Sequence, residues 1–196
     1  MQPDVAVIAF DTSAAHCAAA LLLGKEVITR VDEMAKGQAE HLIPMLEEML
    51  TEGGVAWKDI DGIGVGTGPG NFTGIRIGIS AARGLSLGLG KPAIGVSGFE
   101  ARAFGSTPPL TAIIPAPRDK AYVQFFKADG EVSKPALMGQ EFLPALVSPP
   151  APVKLITAVA KIAAQKLDDK VERPAPLYVR SPDAAPPSDP APVILA

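Results

Sequence analysis

Asp11, Thr12 and Ser13 follow the first apolar run of the chain and carry two groups that could face phosphate chemistry. A carboxylate can hold magnesium, and hydroxyls can bond phosphate oxygens. The same trio also suits an Asx or Ser/Thr turn, in which the side chains satisfy local backbone amides. A second candidate is the stretch 62–78, GIGVGTGPGNFTGIRIG. Its glycines allow close backbone approach, and a strand, a turn and a helix start in that order could receive an anion. Neither nucleotide fingerprint fits, however: no frame reads GxGxxG, and no lysine follows in the GxxxxGK[ST] pattern. A turn that packs a helix tightly on a strand accounts for the glycines equally well. Cys17 could be a nucleophile, but it opens an apolar run to residue 23 and reads as a small buried hydrophobe. His16 and His41 stand 25 residues apart in different elements, without HExxH or other metal-ligand spacing. No GxSxG elbow occurs.

The elements that must hold these residues are readable in the first half. Apolar runs at 5–11, 16–23 and 27–31 predict three consecutive strands joined by tight turns. A helix follows over 38–51, closed by Gly53-Gly54, with Pro44 predicted to kink it or delay its regular start to near His41. Then come a strand at 60–66, a helix at 72–89, a strand at 93–97 and a short helix. This order, three strands and then alternating helix and strand, is that of the α/β ribonuclease H-like fold, the unit of actin-like (ASKHA) proteins. Sixteen of the 19 glycines lie at or before Gly98, and 16 of the 20 prolines at or after Pro108. That shift predicts a boundary near 104–110 and two subdomains: 1–104, and a reduced second one over 105–180, with a Pro-rich tail at 181–196. Strands are expected at 111–114, 121–127 and 131–137, and a helix at 157–167.

The two long helices carry more apolar surface than a lone sheet cover needs. Leu42, Met45, Leu46 and Met49 recur at i, i+3, i+4 and i+7 on the first. On the second, Gly74, Gly78 and Ala82 stand four apart, with Ile75 and Ile79 beside them, so another helix could come close. Either these nine residues only cover the sheet, or they also form a subunit contact, where methionine and apolar side chains are favoured. The contact is the sharper expectation.

With 47% hydrophobic and 20% charged residues the chain is no disordered polymer. A net charge of −3 argues against holding nucleic acid by its own surface, so any RNA would be gripped by something else. A single cysteine suits a reducing compartment, and the N-terminus lacks the basic start of a secretory signal. The apolar stretch 72–90 is broken by Arg76 and Arg83, so no membrane span fits and cytoplasmic residence is expected.

Four blocks in order, IAFDTS, GQAEHLIPMLEEML, GVGTGPGNFTGIRIGISAARGL and KPAIGVSGFEA, resemble those of the TsaB family. The resemblance covers residues 4 to about 104 and is most specific at GTGPGNFTGIRIG. Further on it thins. PAPRDKAYVQFF resembles the family's Asp-Ala-Arg-x-Gly-Glu-Val-Tyr strand entry, with Pro115 at the usual Asp and Pro117 at the usual Arg, and PLYVRSPDAAPP resembles its Tyr-Leu-Arg segment. The sister family TsaD carries Val-Asn-His-Leu-Glu-Ala-His, whose histidines hold a catalytic metal. Here the block reads Val96-Ser97-Gly98-Phe99-Glu100-Ala101-Arg102. The resemblance therefore implies a non-catalytic subunit supporting TsaD, the transferase that places threonylcarbamoyl on the adenosine beside the tRNA anticodon. It also implies TsaE as a further partner, while the apolar helical pair predicts a homodimer when the chain is alone. It implies no cofactor on the single chain, though ATP or ADP could sit at the joint surface with TsaD. The competing reading is an autonomous enzyme, an actin-like ATPase using Asp11 or a glycoprotease-type metallopeptidase.

Overall fold

The first strand, β1 (Ala6–Asp11), is buried at every residue from Ala6 to Phe10. A strand without a polar alternate residue is one covered on both faces, and this sets the architecture. In the computed structural model, which describes residues 5–139, 150–167 and 171–179, β1 lies at the centre of a five-stranded sheet. On one side β2 (His16–Leu23) and β3 (Glu26–Glu33) pair antiparallel, turning at Gly24 in the left-handed region. On the other side β4 (Gly62–Gly66) and β5 (Ala93–Val96) pair parallel, giving the order β3-β2-β1-β4-β5.

The strand alternation divides the core in two. Ile8, Phe10, Ala19 and Leu21 face α1 (Gln38–Glu52) and α2 (Phe72–Leu89). Val7, Ala9, Ala18 and Ala20 face α4 (Pro152–Gln165) on the opposite side. α1 runs unbroken through Pro44, which is solvent-exposed, as is Glu40 four residues earlier, where water can replace the missing amide partner. α3 (Gly98–Ala103) starts with a capping box: the Ser97 hydroxyl accepts the Glu100 N–H, and the Glu100 carboxylate accepts the Ser97 N–H. The small second sheet has β6 (Leu110–Ala116), β7 (Lys120–Phe126) and β8 (Ala136–Gly139) in that order, all antiparallel.

Three expectations need correction. The strand expected over 131–137 begins only at Ala136. Before it the chain turns at Gly130, and Val132 makes just a single bridge to Phe126. The helix expected over 157–167 starts at Pro152, a residue suited to a first helical position, and it does not belong to the second unit. It covers the open face of the first sheet, so among the described residues of 105–180 the three-stranded sheet is the regular structure left to the second unit. The third concerns the nine residues marked for a subunit contact: Leu42, Met45, Leu46, Met49, Gly74, Ile75, Gly78, Ile79 and Ala82. All are buried within the single chain, against the sheet. The small-residue stripe does admit a close neighbour, but the neighbour is the end of β1. A Cβ on Gly74 would stand 1.9 Å from the Thr12 carbonyl oxygen, and one on Gly78 would stand 3.0 Å from the Thr12 hydroxyl. Gly84 and Gly88, by contrast, look onto open space. The expected tail over 181–196 lies outside the described residues. No described helix is long and apolar enough to cross a membrane.

Candidate functional site

A cleft of about 710 Å³ opens where the C-terminal end of β1, the start of α2, α3, the small sheet and the start of α4 converge. Polar groups on its wall come from Asp11, Ser13, His16, Asn71, Thr73 and Arg102, set among Pro69, Pro115, Pro117, Pro150 and Pro152.

The Asp11-Thr12-Ser13 trio divides its labour. The Asp11 carboxylate accepts the Ser13 N–H at 2.7 Å, closing an Asx turn. It lies so close over β4 that a Cβ on Gly66 would come within 2.5 Å of it. Thr12 is buried, and its hydroxyl donates to the Gly74 carbonyl at 2.7 Å, so it does not reach the cleft. The Ser13 carbonyl accepts the Asn71 N–H at 2.7 Å, and the Asn71 side chain caps α2 by accepting the Gly74 N–H. The trio thus rivets β1 to the start of α2, and the glycines at 66, 70 and 74 are the room that this joint needs.

Arg102 closes the cleft from the other side. It donates through Nη1 to the Gly98 carbonyl at 3.0 Å, while its buried Nε has no partner. Burial pushes its guanidinium below the ordinary value, and the nearby negative charge of Asp11 acts the other way. His41 is placed elsewhere, with Nε2 2.6 Å from the Asp32 carboxylate between α1 and β3. Burial first, then Asp32 and Asp11, push the Cys17 thiol up to about 11, so it is a thiol and not a nucleophilic thiolate at neutral pH. Among the described residues no group of three or more His, Cys, Asp or Glu stands placed to hold a metal ion. Gly98 and Arg102, at the positions where the sister block has histidines, offer no ligand atom and a permanent cation, so the metal of that sister does not fit here.

One participant was marked in the sequence only by the resemblance of PLYVRSPDAAPP, with no sign of where it packs. The stretch 171–179 is an extended strap across the ends of β4 and β5. Leu177 donates its N–H to the Thr67 carbonyl at 2.9 Å, and the Tyr178 ring stacks on Phe72 with centroids 4.6 Å apart. Arg76 donates from Nε to the Tyr178 hydroxyl, and Arg83 from Nε to the Pro174 carbonyl, both at 3.0 Å. Leu177 and Val179 pack on the cluster of Phe99, Ile114 and Tyr122 that backs the cleft.

Residues 28–181 match the family model described as TsaD, tRNA N6-adenosine threonylcarbamoyltransferase. The Escherichia coli (strain K12) tRNA threonylcarbamoyladenosine biosynthesis protein TsaB is 37% identical over 100 residues, which are 51% of this chain and 43% of that protein. A tRNA N6-adenosine threonylcarbamoyltransferase from Jannaschia sp. is 46% identical over 77 residues, 39% of this chain and 21% of that protein. The matched stretch thus spans less than half the length of these curated relatives. Among solved structures, YeaZ from Pseudomonas aeruginosa superposes with a TM-score of 0.70 at 25% identity, over 89% of this chain and 99% of that one. The fold order and a family match over more than half of the chain agree: this chain belongs to the TsaD family.

Proposed function

We propose that the chain is a non-catalytic subunit of a tRNA threonylcarbamoyladenosine transferase assembly, where it supports a TsaD-type enzyme in the cytoplasm. The observation that carries this reading is the pair Gly98 and Arg102, standing where the sister family's block has its metal-binding histidines. Arg102 folds back onto the Gly98 carbonyl, and the cleft is left with a cation in place of a Lewis acid. An autonomous ATPase is poorly served by a trio whose Thr12 is buried and whose Asp11 accepts its own turn. Within this proposal TsaE is a further partner, the chain pairs with itself when alone, tRNA is modified through the assembly, and ATP or ADP binds at the joint surface with TsaD.

The partner-facing surface is the outward side of the helical pair. On α2 it comprises Thr73, Ser80, Gly84, Leu87 and Gly88, with Ile77 partly covered and the exposed Arg76 and Arg83 along one edge. Leu87 is 87% exposed at the C-terminal end of this face. Ile43 of α1 adds a second exposed apolar side chain. A stable contact here would bury roughly 1,600 Å² in total.

The test is capture of a TsaD homologue from the same cell. The variants Gly84→Glu and Leu87→Asp point into solvent, so both should fold and lose capture, whereas Ala82→Glu would disrupt the core instead. Unchanged affinity in both folded variants overturns the proposed face. Threonylcarbamoyl transfer, or steady ATP turnover lost on Asp11→Ala, by the chain alone overturns the non-catalytic role.

A further inference from the structure

We propose that the cleft between the end of β1, α3 and the small sheet binds a free α-amino acid with a large apolar side chain, its ammonium on Asp11 and its carboxylate on Arg102. The inference goes beyond the assembly reading and does not rest on it, because every residue it uses belongs to the single chain.

The described wall of the cleft carries one acid and one permanent cation, Asp11 and Arg102, with His16 the further side chain able to take a charge near neutral pH. Both charged side chains are half-buried. They do not close on each other: among the described residues neither makes an ion pair. Each is fixed instead by one backbone bond. Asp11 accepts the Ser13 N–H with Oδ1, and its Oδ2 takes no described donor. Arg102 donates from Nη1 to the Gly98 carbonyl, and its Nη2 has no described acceptor. A charge already ordered by the fold loses little freedom on meeting a ligand. The two are near enough for the Asp11 charge to act on the guanidinium.

This pair selects by sign. A pure anion in the cleft gains Arg102 but is repelled by Asp11, and a pure cation meets the reverse. A molecule with both charges on neighbouring atoms satisfies both, and the ammonium and carboxylate of an α-amino acid are separated by one carbon. A nucleotide is disfavoured on the same ground: its phosphates would face Asp11, with no metal-holding group among the described residues to offset them. The rest of the wall sets the side chain. Pro69, Ile114, Pro115, Leu155 and the Tyr122 ring are apolar, and such a wall with a few placed polar groups holds a small molecule by its body and orients it by its ends. A cleft of about 710 Å³ admits a side chain as large as that of phenylalanine.

The experiment titrates the full chain calorimetrically at pH 7 with three ligands. They are L-phenylalanine, N-acetyl-L-phenylalanine, which lacks the ammonium, and L-phenylalaninamide, which lacks the carboxylate. L-Phenylalanine should bind once per chain, and each blocked form at least about tenfold more weakly, the loss of one charged hydrogen bond. L-Serine, with both charges and no apolar body, should also bind more weakly. Asp11→Asn keeps an acceptor for the Ser13 N–H, so the turn survives. It should weaken L-phenylalanine at least about tenfold and remove its advantage over the N-acetyl form. Arg102→Gln should remove the advantage over the amide instead. A loosened fold does not produce that crossed pattern, and thermal melts establish that each variant is folded. If Arg102→Gln does not fold, Asp11→Asn and the three ligands on the unsubstituted chain decide the question. Three results overturn the inference: no saturable heat with L-phenylalanine up to about 10 mM, equal affinities for the three ligands, or ADP or pyrophosphate binding more tightly than L-phenylalanine. Because the chain is titrated alone, failure here removes the amino-acid site and leaves capture of the TsaD homologue to decide the assembly reading.

Discussion

At the scale of residues, the tightest constraint in the molecule is a missing side chain. Gly74 sits in the first turn of α2 where the helix presses on the carbonyl that ends β1, and a methyl group there would meet the Thr12 oxygen at 1.9 Å. The obstacle is backbone, which cannot swing aside as a flexible side chain would. Gly74→Ala, ordinarily favourable inside a helix, should therefore destabilise the chain by about 3 kcal/mol or more, through forced separation of α2 from β1. Gly84→Ala, facing open space on the same helix, should be neutral or stabilising by up to about 1 kcal/mol. Urea midpoints of the two variants check this, and equal midpoints would mean that the β1–α2 joint is loose. The candidate site was partly legible at this scale. Asp11 and Ser13 reach the cleft as their position after an apolar run suggests. Thr12 fails to, because alternation along a strand sends its side chain inward. Tyr178 was marked only by the resemblance of its segment, and its contact with Arg76, 102 residues away, had no local signal.

Among elements, the junction of α3 with α4 depends on one carboxylate. Glu100 closes the capping box of α3, and its other oxygen accepts from Lys166 Nζ at 2.7 Å, just beyond the end of α4. Burial by itself would raise the Glu100 carboxyl, but the bonds from Lys166 and Ser97 outweigh it and hold the group below its ordinary 4.5. A depressed carboxylate pKa contributes stability above the unfolded value and loses it as pH falls through the folded one. Glu100→Gln should therefore cost stability at pH 7, with the deficit shrinking once pH drops below about 4.5. Melting temperatures at pH 7, 5 and 3.5 follow it, and a deficit independent of pH would mean that the charge is idle. The elements themselves were well signalled: periodicity gave α1 and α2 nearly to the residue. Their allegiance was not. An apolar face with small residues at fourfold spacing says that something comes close, and only the fold says that it is a strand end and not a helix. For α4 the difficulty is the same. Nothing in its sequence tells which sheet its Ala158, Val159 and Ile162 will cover.

For the whole molecule, the sheet order makes the last described helix the cover for the first strand. Val7, Ala9, Ala18, Ala20 and Leu22 become buried only against α4, more than 120 residues later in the chain. The sheet of residues 1–104, the subdomain that the composition shift predicts, therefore takes the cover of one face from beyond that boundary. A fragment ending there would leave one whole sheet face wet. Expressed alone it should be aggregated or molten, with weak near-ultraviolet circular dichroism and strong dye binding; a fragment melting cooperatively near the full chain would contradict this. The same geometry has a consequence during synthesis. As the chain leaves the ribosome, β1 through β5 emerge with half of their apolar surface uncovered, and they must wait for some fifty further residues before α4 arrives. At roughly 5 to 20 residues per second that interval lasts seconds, long against strand pairing. A nascent chain in that state exposes the bare face of its sheet, and slower elongation between 104 and 150 would prolong the exposure rather than aid folding.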